Sequence, residues 1–258
     1  MDPELNSHGS LWDVLVIVLL SIAVVPILVT MCVDWLHGAS MIAIPIDSLR
    51  QIKMVSVVSA QEAALFLLTW GSMLNVGQSP KSLGFLWKLP WQDVLWGVGL
   101  GFCFVGINWA GEHVSRLLFT LFMDESHVME LLSQESLIAN EMIAKGQATW
   151  VRLTMATLII CVAPIVEETF FRGYAYTVFK ARWGTAGALL LSSLLFAGVH
   201  MYFIHFLPVF LLGFLLALSY EWRQTLVTPI VAGSPGCIHF EWMVGESHSS
   251  YSKKHTGP

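Results

Sequence analysis

Charge is what this sequence has least of. Only 12% of its 258 residues are Asp, Glu, Lys or Arg, against 55% hydrophobic, and the mean hydropathy is +0.67. Such a chain is too apolar for an ordinary soluble domain, so lipid must be the solvent for much of it. No Lys/Arg block occurs and the formal net charge is −5, which removes the electrostatic attraction that nucleic-acid binding depends on. The four cysteines form no CxxC pair and have no histidine cluster beside them, so neither a disulfide framework nor a thiolate metal site is indicated. HExxH is absent, which makes a soluble zinc protease a poor reading. The first apolar run, residues 14–33, lacks the basic flank and small-residue cleavage site of a signal peptide and reads as a retained helix.

What the chain does have is long apolar runs. A bilayer core takes roughly 20 mostly apolar residues per helix, so about six or seven spans fit with short loops. The expected fold is an all-α, polytopic transmembrane helix bundle, multi-pass and integral to the membrane, with one amphipathic surface helix. Spans are expected at 14–33, 54–77 and 94–111, then from Trp150 onward, then twice within 183–220 with a turn around 201–208. A seventh run begins at Thr225 and stops after nine residues. Between the second and third spans, SPKSLGFLWKLPWQD mixes Lys81 and Lys88 with aromatic rings, the composition of a segment at headgroup level. Between Asp124 and Gln147, Glu130, Glu135 and Glu141 alternate with Met129, Leu131, Leu132, Leu137 and Ile138 at helical spacing, which reads as the surface helix. A polar leader over residues 1–10 and a polar tail over 234–258, both expected to be disordered, flank the helical domain at 11–233.

One segment breaks the apolar pattern. The run TLIICVAPIV continues directly into EETFFR, so Glu167, Glu168 and Arg172 arrive while the helix is still at membrane depth. Each ionised group there costs about 2.5 to 3.5 kcal/mol on insertion scales unless it is paired. Residues four apart share a helix face, so Glu168 and Arg172 can pair. Glu167 lies about 100° around the helix and is left over. A carboxylate that the arginine does not neutralise can accept a proton, as a general base must. The next apolar segment ends in FAGVH, placing His200 as its candidate associate if the two segments run as antiparallel neighbours. The plainer readings are an ion-pair cluster that stabilises helix packing, a histidine at the turn for His205, and interhelical hydrogen bonds for Glu62 and Asn108.

EETFFR fits EExxxR and FAGVH fits FxxxH, and with these motifs the chain resembles the CAAX protease and bacteriocin-processing (CPBP, or Abi) family of intramembrane proteases. The likeness runs from the headgroup-level segment to LVTPIVA. It implies that Glu167 activates water, that Glu168 and Arg172 are its supporting pair, and that His200 is the first catalytic histidine. It also implies a prenylated or hydrophobic peptide substrate met within membrane lipid. The cofactor it implies is either a divalent metal such as zinc, which Glu167 and His200 would then hold, or none. Members carry HxxxN or HxxxD after a stretch like TPIVA; here that position is Gly233, followed by Ser234, Pro235 and Gly236, and His239 has Met243 four residues on. A catalytically silent binding or immunity protein of the same fold is therefore an alternative. A proton-linked transporter is another, although repeated halves with broken helices are not visible.

Overall fold

A computed structural model describes residues 9–39, 41, 45–78, 90–143 and 147–234, without the side chains of 47 and 136–143. Most of the leader, most of the headgroup-level segment and the tail beyond Ser234, including His239, lie outside the described residues. Those described form helices and no strand. In chain order these are α1 (Leu11–Gly38), α2 (Ile46–Asn75), α3 (Trp91–Thr120), α4 (Glu125–Ile143), α5 (Thr149–Val199) and α6 (Phe206–Arg223), followed by helical residues 227–234. The all-α membrane-bundle class stands: five of these helices, all but α4 among those named, are long and apolar enough to cross a membrane. The fourth of the five is 51 residues long, more than one bilayer crossing takes, and Gly184 interrupts it with φ +66° and ψ −174°. Only glycine adopts that conformation readily. Among the described residues the helices long and apolar enough to cross a membrane number five; six or seven spans were expected over the whole chain.

Local sequence explains several of the boundaries. Ser10 caps α1, accepting from the Trp12 N–H at 3.1 Å while Asp13 accepts from the Ser10 N–H at 3.2 Å, the reciprocal arrangement of a capping box. Two π-helical turns, Leu19–Val24 and Leu158–Val162, each end two residues before a proline, Pro26 and Pro164. Proline has no N–H for the helix ladder and its ring crowds the carbonyl four residues back. The wider turns accommodate both defects without ending the helix.

The chain divides into two compact units, Met1–Phe85 with Gln147–Ala188, and Leu86–Gly146 with Leu189–Pro258. In the first, α1, α2 and the leading part of α5 pack together. Polar contacts tie α5 to the start of α1: Tyr174 donates to Asp13 Oδ2 at 3.2 Å and Arg182 donates to the Gly9 carbonyl at 2.8 Å. In the second unit α3 and α6 run antiparallel. Arg223, the last residue of α6, donates to Asp93 at 2.6 Å near the start of α3, while Gly111 toward the end of α3 lies against Pro208 at the start of α6. Gly97 lets residues 227–234 approach α3 closely, since a Cβ there would sit 2.7 Å from Val231 Cβ and 2.8 Å from the Thr228 carbonyl oxygen. The acidic stretch forms α4 as expected, and its Val128 and Leu132 pack with Ile204 in a small buried cluster.

Candidate active site

In the first unit, the EExxxR motif straddles a change in helix type. The α-helical turn Ala163–Glu168 is followed by a π-helical turn over Thr169–Ala175, whose seven residues are all buried. Phe170 and Phe171 stack edge to face at 4.9 Å inside it. Arg172 is fully buried and its Nη1 donates to Glu168 Oε1 at 2.5 Å, with the guanidinium 5.7 Å from the Phe171 ring centroid. The expected pair is thus made, and it is sealed from solvent. Glu168 Oε2 has no hydrogen-bond partner among the described residues.

Glu167 points to a different sector, is half-buried, and feels the Arg172 charge. Glu62, 8% exposed on α2, lies within electrostatic range of Glu167, and its Oε2 also has no hydrogen-bond partner among the described residues. Two carboxylates, Glu167 and Glu168, therefore act on one guanidinium, and a third, Glu62, faces Glu167. Interhelical hydrogen bonding, expected to account for Glu62, does not account for that oxygen. The sequence did carry a signal: neither residue three or four positions from Glu62 is basic, so no helix neighbour could pair it. Asn108 departs from the same expectation. It is 2% exposed on α3 and neither its oxygen nor its nitrogen has a partner among the described residues.

His200 belongs to the second unit, just beyond the end of α5. Its Nδ1 is 2.7 Å from the carbonyl of Phe196, and only an N–H can donate to a carbonyl, so Nδ1 carries a proton. FxxxH has a physical reading here. Residue i supplies both the carbonyl that fixes the tautomer and a ring, 4.5 Å away, that packs on the imidazole of residue i+4. The next residue, Met201, has φ +57° and is 84% exposed, a left-handed turn that a side chain adopts only at a cost.

His205 marks the turn between helices as expected, but it is buried and engaged. Glu135 on α4 reaches this turn: Oε1 accepts from the N–H groups of Phe203 at 2.6 Å and Ile204 at 2.7 Å, and Oε2 accepts from His205 Nδ1 at 2.6 Å and its N–H at 3.4 Å. Burial favours the neutral form of this carboxyl. The bonds from the His205 ring and Ile204, the His205 charge and the Phe203 bond outweigh that and hold it below the ordinary carboxylate range.

Among the described residues no three His, Cys, Asp or Glu side chains gather as a metal-binding group. The described residues do not present a donor set for zinc. Gly233, where the resemblance leads one to look for a second histidine, is buried at the end of the last described helical stretch and has no side chain to offer. A cleft of about 810 Å³ at the α3–α4 elbow, lined by Thr120, Asp124, His127, Glu130 and Gln134 among others, contains none of the expected site residues.

Residues 149–233 match the Rce1-like family model, described as type II CAAX prenyl endopeptidase Rce1-like. The match contains Glu167, Glu168, Arg172 and His200 and ends at Gly233. The resemblance to the CAAX protease family stands on that segment, which is well under half of the chain. No curated protein and no solved structure matches the chain.

Proposed function

We propose that this chain is a multi-pass membrane endopeptidase of the CAAX type, cleaving a peptide bond in a prenylated or hydrophobic peptide. The observation that carries the reading is the matched segment with both motifs in it, EExxxR with its arginine committed to Glu168 and FxxxH with its tautomer fixed. Glu167 takes a proton from water, the hydroxide oxygen bonds to the scissile carbonyl carbon, and the same proton passes to the leaving amine as the C–N bond breaks. His200 with its proton on Nδ1 can accept but not donate at Nε2, so in the neutral state its part is to orient the water; polarising the carbonyl would require the imidazolium.

Glu167→Gln tests this. Cleavage of a prenylated peptide in reconstituted vesicles is expected to vanish while helical content and thermal transition stay in place; full activity in that variant rejects the assignment. Crosslinking of cysteines placed at 167 and 200 tests whether the two side chains come within the reach, directly or through one water, that catalysis needs. Gly233 favours a second reading, a silent binding or immunity protein of the same fold. Reading the coding sequence past Ala232 separates the two: HxxxN in another frame favours the enzyme, and confirmation of SPGCIHFEWM favours the silent form.

A further inference from the structure

Helix α4 lies outside the spans and outside the matched segment, yet it bears on the residue that follows the FxxxH motif. Val128, Leu132 and Glu135 stand at spacings of four and three, on one face of α4. The first two bury against Ile204, and the third, with a side chain 8% exposed, reaches the backbone of the same turn. Three consecutive N–H groups, those of Phe203, Ile204 and His205, end on this one carboxylate, together with the His205 ring. These amides lead into the N-terminus of α6, whose dipole favours an anion there. The phenyl rings of Phe119 and Phe203, 4.9 Å apart, close the outer side.

This turn leads back to His200 in two ways. Through the backbone it passes Met201, whose left-handed conformation is uphill for a side chain and persists only if its surroundings hold it. Through side chains it passes the rings of His205, Tyr202 and His200, each 6.1 Å from the next. We propose that Glu135 is a positioning residue for His200: by clasping residues 203–205, α4 holds the turn in the one shape that aims the His200 imidazole. Its catalytic consequence rests on the function proposed above; the positioning itself does not.

The experiment uses full-length protein in nanodiscs with ¹⁵N-labelled histidine, the His200 ring signals being assigned by their loss in His200→Asn. In Glu135→Ala these signals should move or broaden, and kcat should fall by about ten- to a hundredfold with KM little changed, the scale expected when a reacting group is misplaced by about an ångström. Glu135→Gln, which keeps the size and one acceptor oxygen, guards against a simple folding failure and should show smaller changes of the same kind. His200 signals that stay in place in both variants, with α4 still helical, overturn the proposal, as does an unchanged kcat in a chain that Glu167→Gln inactivates. If Glu167→Gln cleaves as well as the parent, the functional reading has failed instead, and the His200 spectrum alone decides the positioning.

Discussion

Two buried carboxylates of this protein, Glu168 and Glu135, solve the same problem with opposite completeness. Both are almost shut off from solvent. Glu135 has four donors on its two oxygens. Glu168 has the Arg172 guanidinium on one oxygen and no hydrogen-bond partner among the described residues on the other, with Glu167 acting on the same cation and Glu62 facing Glu167. A fully satisfied carboxylate at a helix N-terminus fixes structure. One that is incompletely satisfied, in a cluster with surplus negative charge, carries a cost that packing alone does not explain, and clusters of that kind are where chemistry is found.

The comparison breaks first at Arg172. Arg172→Met leaves Glu168 buried with no counter-charge and should cost about 3 to 5 kcal/mol, read as a large drop in thermal transition in detergent. The double variant Glu168→Leu with Arg172→Met removes both charges and should recover most of that loss. A double variant as unstable as the single one would show that the pair is not what the cluster rests on.

Glu62→Leu acts in the reverse direction. It removes a buried carboxylate with an orphan oxygen and relieves Glu167 of a like-charged neighbour, so stability should rise by about 1 to 3 kcal/mol. A loss of cleavage that accompanies the gain in stability would mark Glu62 as kept for function. A fall in stability would mean that its other oxygen does more for the fold than the cluster costs.

How much of this could be read from the chain depends on how local the cause was. The apolar runs, the α4 helix and the Glu168–Arg172 pair follow from composition and from spacing along one helix, and each was legible. The boundary near residue 183 was legible too, from Lys180 and Arg182 just before the next apolar run; that Gly184 would make it inside one continuous helical stretch was not, because that depends on its dihedrals. Pro26 and Pro164 were visible, but the π turns before them were not, since helices answer a proline in several ways. Glu62 was seen and set aside: its importance depends on the sector of α2 that faces α5, which no pattern within α2 reveals. Glu135 was read as part of a solvated face, because its partners lie 68 to 70 residues away in sequence.

Acid should dissect the Glu135 clasp more gently. Its carboxyl is held below the ordinary carboxylate range in the folded chain, so the stability it contributes is fully present above that range and is lost as pH falls through the lower, folded-state value. The ionisable side chain that faces it is His205. Amide exchange at Phe203 and Ile204, followed from about pH 6 to about pH 3, should show protection held through the upper part of that range and lost at its acid end. Protection that already fades well above the ordinary carboxylate range would mean that burial, and not the four donors, dominates at Glu135.

Met201→Gly is the smallest change and the sharpest test of what holds the turn. The side chain is 84% exposed, so its removal sacrifices little packing, while the left-handed residue sheds a penalty of about 1 kcal/mol. The added freedom of glycine in the unfolded chain offsets part of this, leaving a net gain of a few tenths of a kcal/mol. If the Glu135 clasp is what holds Met201 in place, the two changes are coupled. Glycine should then help more in the Glu135→Ala background than in the parent, because there the turn must find its shape unaided. Strict additivity of the two would mean that Met201 keeps its conformation independently of α4, and the link from Glu135 to His200 would have to run through the Tyr202 ring alone.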